Sequence, residues 1–123
     1  MSDKILFMKS HEWVQFLDDT TARIGISDYA QSELGDLVFI NLPEVGDEVI
    51  VGESFADVES VKAVSNVYSP VTGTVKAVNE DLLDQPELVN SEAMETWFIE
   101  VENISDKADL LSELEYKKLI SES

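Results

Sequence analysis

The chain has 123 residues, 44% of them hydrophobic, which suits one domain with a core of its own. Its 26 acidic and 8 basic residues give a net charge of −18; such a surface repels phosphate backbones and anionic bilayers and speaks against nucleic-acid and membrane partners. Cysteine is absent, which excludes disulfides, thiolate metal sites and thiol nucleophiles, so any redox sulfur must arrive on an attached group. No apolar run reaches the ~18 residues of a membrane span. The short apolar patch from Ile5 to Met8 lacks a signal-peptide core, so a cytoplasmic location is the default expectation. The acidic balance favours docking onto proteins with basic surfaces.

In chain order, Glu12 to Leu17 and Thr21 to Ile26 read as strands joined by the polar turn Asp18-Asp19-Thr20. Asp28 to Leu34 reads as a short helix, with Ser27 as N-cap and Gly35 as stop. Leu37 to Ile40 is an apolar strand closed by Asn41-Leu42-Pro43, and Glu44 to Asp47 is a turn before the strand Glu48 to Val51. From Glu53 to Val78 the chain is rich in Val, Ala, Ser and Tyr and reads as further β structure, broken at Pro70 and Gly73. Thr74 to Val78 alternates as a strand, with Val75 and Ala77 inward and Lys76 outward. Asn79 to Asp84 reads as a helical turn ended near Pro86, and Thr96 to Val101 as a strand. The tail reads as helical, from Asp106 to Leu111 and again from Ser112, where Ser112 and Glu115 have capping-box spacing. Many strands followed by helices predict a mainly β sandwich or flattened barrel with a C-terminal helical segment. The tetrapeptide Val-Lys-Ala-Val occurs at 61–64 and again at 75–78; chance or two similar β halves would each explain it.

Enzyme chemistry is sparse. His11 is the only histidine, there is no G-x-S-x-G elbow, no P-loop and no dinucleotide fingerprint, and no histidine stands at metal-ligand spacing from the many carboxylates. His11, beside the Trp13 strand, reads as a structural histidine, so no catalytic or metal-binding residue is assigned. A carrier or binding module is the better class.

Lys62 is the only basic residue between Arg23 and Lys76. β-like sequence on both sides allows a hairpin tip there, although no Gly or Asn marks a primed turn. On local sequence alone, a solvated strand lysine paired with Glu59 or Asp57 is the simpler reading. Its context decides otherwise. Glu59-Ser60-Val61-Lys62-Ala63, then Ser65 and Tyr68-Ser69-Pro70-Val71-Thr72-Gly73, closely resembles the lipoylation segment of glycine cleavage H proteins. The resemblance extends to Ser10-His11-Glu12-Trp13-Val14, to Gly25 through Gln31, to Leu34 through Phe39 and to Leu42 through Gly46. It continues through Asn79-Glu80, Pro86 through Asn90, Trp97 and Glu115-Tyr116, so it runs in order over nearly the whole chain.

The resemblance implies a barrel-sandwich hybrid of two similar antiparallel sheets with short helices. It implies one lipoyl-carrier domain over 1–123, with a core of about 4–102 and a C-terminal helical appendage of about 105–122. Lipoate would be attached covalently to Lys62 at an exposed hairpin tip, with Glu59 and Gly73 helping the modifying enzyme and Lys76 left as a strand lysine. Ser10, Glu12 and Asn66 match the region where the loaded arm docks; Asn66 replaces an Asp usual in the family. The stretch Ser91 to Thr96 lacks the family's Gly and Pro-Tyr pair and predicts a different, helical loop. The implied function is a non-catalytic shuttle of the glycine cleavage system, in a monomer. It would carry an aminomethyl group from the PLP-dependent P-protein to the tetrahydrofolate-dependent T-protein, and reducing equivalents to the FAD-dependent L-protein. A lipoate ligase or lipoyl transferase would load it. Two alternatives stay open: a lipoyl relay or redox carrier outside glycine catabolism, and an unmodified acidic binding module. A biotin carrier is disfavoured because no methionine flanks Lys62.

Overall fold

A computed structural model describes residues 5–121. Nine strands, four short helices and one 3₁₀ turn occur among them. The strands are β1 (Ile5–Phe7), β2 (Glu12–Phe16), β3 (Ala22–Ile26), β4 (Leu37–Asn41), β5 (Glu48–Val49), β6 (Ser54–Ser60), β7 (Val64–Tyr68), β8 (Val71–Val78) and β9 (Ile99–Lys107). The helices are α1 (Asp28–Leu34), α2 (Asp81–Asp84), α3 (Leu88–Glu92) and α4 (Glu113–Ser121), with the 3₁₀ turn at Ala93–Glu95. A six-stranded antiparallel sheet runs β1-β2-β3-β9-β8-β5, and a three-stranded antiparallel sheet runs β4-β6-β7. The two-sheet architecture of short strands is as expected, but the sheets are unequal in size.

Strand alternation builds the core. Val14, Ile24, Val71, Val75, Ile99 and Val101 of the larger sheet and Ile40, Val58 and Val67 of the smaller are each buried in one apolar cluster. Burying a side chain of this size stabilises the fold by about 1.5–3 kcal/mol. Phe7, Trp13 and Tyr116 form a second cluster that seats α4 on β1 and β2, with the Phe7 and Tyr116 rings stacked at 4.2 Å. The α1 caps are as read: Ser27 Oγ accepts from Ala30 N–H at 3.1 Å, and Gly35 N–H donates to the Gln31 carbonyl at 3.0 Å. At the head of α4, Ser112 N–H donates to Glu115 Oε1 (2.9 Å) and Glu115 N–H to Ser112 Oγ (3.2 Å), the expected capping box. The stretch 91–96 is helical over most of its length.

Three local expectations are corrected. Asp106 to Leu111 is not helical: β9 runs to Lys107, where Asp106 and Lys107 pair with Thr72 and Val71, and Leu111 exchanges two backbone hydrogen bonds with Phe7 (2.8 and 2.7 Å). Sheet partners satisfy these backbone groups, whereas one exposed helical turn would leave most of them to water. Gly73 does not break the β run; it lies inside β8, paired with Val49. A Cβ there would sit 2.6 Å from Val101 Cγ1 and 2.7 Å from the Glu102 carbonyl, so it is close sheet packing that needs glycine at this position. The strand at Glu48 ends at Val49, and Val51 makes only an isolated bridge to Ser69.

Candidate functional site

Strands β6 and β7 form a hairpin whose three-residue tip is Val61-Lys62-Ala63. Ser60 closes it. Its N–H donates to the Ala63 carbonyl at 2.8 Å, and its Oγ accepts from the N–H groups of Lys62 and Ala63 at 3.1 Å each. No residue of the tip has a positive φ, so it needs no Gly or Asn; the serine hydroxyl closes it instead by hydrogen bonding, which is why turn-residue statistics pass over this tip. The tip is also anchored from outside: Val61 N–H donates to the Asp36 carbonyl at 3.0 Å. Backbone at the tip is therefore fixed, while the Lys62 side chain is exposed.

The Lys62 stem lies over Gly35. A Cβ on Gly35 would approach Lys62 Cε to 3.1 Å, and Gly35 has φ +83 and ψ −162, a conformation open essentially to glycine alone. Asn90 holds this platform. Its Oδ1 accepts from Leu37 N–H at 2.8 Å, and its Nδ2 donates to the Gly35 carbonyl and to Gln31 Oε1, each at 2.9 Å. Sequence reasoning missed Ser60, Gly35 and Asn90 as parts of the site, because their roles depend on contacts made across the fold. Among the described residues Lys62 makes no ion pair, with Glu59 or Asp57 or any other carboxylate. Its twin differs: Lys76 is outward on β8 and pairs with Glu100 at 3.4 Å, a carboxylate that Arg23 also holds at 3.1 Å.

The other candidate residues fall in different places. Glu59 is exposed on β6 next to the tip, whereas Gly73 is buried in the other sheet. Ser10 lines a groove of about 270 Å³ with His11, Tyr29, Ala30, Glu33, Leu34 and Ser65. Leu34 and Ser65 bring the groove's edge within a few residues of the platform and of Lys62. Glu12 is 2% exposed and lies behind Ser10. Its carboxylate accepts from the Ser10 hydroxyl and, at 2.9 Å, from Tyr68 N–H. Burial pushes the Glu12 carboxyl above the usual carboxylate range, against the pull of those two hydrogen bonds. Asn66 is set apart. It is exposed and pairs with Asp57, on the opposite face of β7 from Ser65.

His11 is held structurally. Its Nδ1 is 2.7 Å from the Tyr116 hydroxyl, which is 2.6 Å from Ser27 Oγ. Burial lowers the His11 pKa, opposed by the charge of Glu33. Among the described residues, no group of three or more His, Asp or Glu could hold a metal ion, and no helix is long and apolar enough to cross a membrane.

A two-sheet sandwich that holds a hairpin rigid and leaves one unpaired lysine amine at its tip is the architecture of a carrier protein. The comparisons agree. Residues 5–123 match the family model described as glycine cleavage H-protein. The glycine cleavage system H protein of Lachnoclostridium phytofermentans is 54% identical over 118 residues, covering 96% of this chain and 93% of the relative. That of Halalkalibacterium halodurans is 51% identical, covering 99% and 97%. A crystal structure of the H protein from Mycobacterium marinum superposes with a TM-score of 0.90 at 32% identity, covering 98% of this chain and 99% of that one. The chain belongs to the glycine cleavage H-protein family, and its role is that of a non-catalytic lipoyl carrier in the glycine cleavage system.

Proposed function

We propose that Lys62 is the residue that carries the lipoyl group, in a single carrier domain spanning residues 1–123. The observation that carries this reading is the exposed, unpaired ammonium of Lys62 at a tip whose backbone is fixed by Ser60 and Asp36. An amine must shed its proton and leave the surface to be acylated, so a lysine held in an ion pair such as Lys76 is the poorer acceptor. Glu59, beside the tip, is the acid that a lipoate ligase or lipoyl transferase reads. Gly73 contributes by keeping β8 close against β9, away from the tip.

Held as an amide on Lys62, lipoate would supply a dithiolane, the chemistry needed to take up an aminomethyl group reductively. The chain's own residues position and shelter that arm. Gly35 gives its root a flat platform, and the groove lined by Ser10, Leu34 and Ser65 receives its far end. With its hydroxyl hydrogen committed to Glu12, Ser10 keeps its oxygen lone pairs free to accept, so a protonated amine in the groove would donate to them. Glu12 acts through Ser10 as a positioning residue. Asn66, on the outer face of β7, flanks the arm's root and not its tip. The partners on this reading are the PLP-dependent P-protein, the tetrahydrofolate-dependent T-protein and the FAD-dependent L-protein. The protein works as a monomer in the cytoplasm.

Intact-mass measurement after expression with lipoate and a lipoate ligase tests the attachment. A lipoyl mass increment is expected on the parent chain and none on Lys62→Arg; an increment that survives the substitution overturns the assignment. Glycine–bicarbonate exchange with a cognate P-protein checks the shuttle role, since a carrier outside glycine catabolism supports none.

A further inference from the structure

Exposed apolar side chains gather around the Lys62 hairpin. Val61 and Val64 at the tip are 67% and 66% exposed, and Val38 and Phe39 on β4 are 55% and 46% exposed. The other large exposed apolar residues among those described, such as Val45, Leu83 and Leu114, lie elsewhere in the sequence. The register explains the gathering. Phe39 pairs with Glu59 and Glu59 with Val64, so the three strands line up one row, Phe39–Glu59–Val64, across the outer face of the smaller sheet. The next row on that face is polar: Asn41–Asp57–Asn66. A bulge between Leu37 and Phe39 inserts an extra residue into β4, so two consecutive residues, Val38 and Phe39, stand exposed where alternation would leave one. An apolar patch with a polar rim marks an interaction surface.

The charge pattern restricts the occupant. Glu59 sits in the middle of the row, Asp57 borders it, and the chain carries a net charge of −18. A second copy would bring like charges together, so the complement is a partner with a basic surface. Reach restricts it further. An enzyme that acylates Lys62 must bring its reacting carbonyl to Nζ, within one side-chain length of the hairpin backbone, so its surface is bound to meet the residues beside the tip.

We propose that the row Phe39–Glu59–Val64, with Val61, is the docking surface for the enzyme that acylates Lys62. That enzyme meets it with an apolar shelf bearing a cationic side chain opposite Glu59. The proposal rests on Lys62 being the acylated lysine. The apolar flanks exclude water from the Glu59 contact, which makes the charge pair stronger and its recognition more selective.

The test is the steady-state rate of lipoate attachment by a lipoate ligase with ATP and lipoate, against the concentration of unmodified full-length protein. Phe39→Thr/Val64→Thr puts a β-branched, strand-compatible residue at both positions, and Val64→Thr alone keeps nearly the parent shape. Ile50→Thr, on an exposed residue outside the row, is the control. The double variant is expected to raise the KM for the carrier by about tenfold with kcat nearly unchanged, and Val64→Thr to raise it by about threefold. The control should match the parent. Parent-like KM values in Val64→Thr and in a folded double variant would overturn the docking surface. So would an equal rise in Ile50→Thr. Modification of Lys62→Arg under the same conditions would instead overturn the attachment site, so the two failures are distinguishable.

Discussion

Replacing Gly35 by Ala probes the platform beneath the lysine. Gly35 has φ +83 and ψ −162, and an alanine held there stores about 1–3 kcal/mol of backbone strain. The new Cβ would also stand 3.1 Å from Lys62 Cε. That contact is with a flexible side chain, so the stem swings aside and adds little to the stability loss, but the amine loses its resting position. For a domain of this size about 4 °C of melting temperature goes with each kcal/mol, so a fall of roughly 4–12 °C is expected. Gly46→Ala separates the two effects: Gly46 has φ +96, and a Cβ there meets nothing within 4 Å. Both variants should lose stability in thermal melts, but only Gly35→Ala should lower kcat/KM for lipoate attachment, by about tenfold, at a temperature where both are folded. A Gly35→Ala protein as stable as the parent would refute the strain argument. An equal loss of attachment in Gly46→Ala would refute the platform.

Glu12→Gln tests the buried carboxyl. Burial raises its folded-state pKa above the unfolded value near 4.5, so the folded protein holds the proton more tightly. The stability this gives is present at low pH and is lost as pH rises from about 4.5 through the raised value. Gln cannot ionise and still accepts from Tyr68 N–H, so the variant's melting temperature should gain on the parent's across that window; parallel curves would contradict the shift. Asn90→Ala removes three hydrogen bonds from the platform and is expected to cost about 1.5–3 kcal/mol in urea unfolding. Faster amide exchange at Val61 should accompany it, and a loss below about 0.5 kcal/mol would show that the platform stands without it.

Local chemistry made much of the fold legible. Ser27 and Gly35 mark α1 because each satisfies a helix end within four residues, and Ser112 with Glu115 marks α4 for the same reason. What stayed hidden depends on partners distant in sequence. Asp106 and Lys107 carry no strand signal, and it is Val71 and Thr72 that draw them into β9. Gly73 resembles a turn residue until Val101 and the Glu102 carbonyl are placed against it. At the site, family resemblance singled out Lys62, yet the residues that hold its hairpin in place lie from two positions away, at Ser60, to 28 away, at Asn90. Asn66 and Ser65 are adjacent in sequence, but strand alternation sends one to the outer face and the other to the groove.

The two ends of the smaller sheet have a bearing on aggregation. β4 and β7 are its edges, and an edge strand offers unpaired N–H groups to any passing chain. On β4 the N–H of Leu37 is already taken by Asn90 Oδ1, and on β7 the N–H of Tyr68 is taken by Glu12 Oε2. Each edge therefore has one rung fewer to extend into a cross-strand stack. The bulge beside Leu37 further spoils the flat register that such stacking needs. A surface with Phe39, Val61 and Val64 in water would invite strand addition, and these side-chain caps let the sheet stay adhesive on its face while it is blunted along its rims.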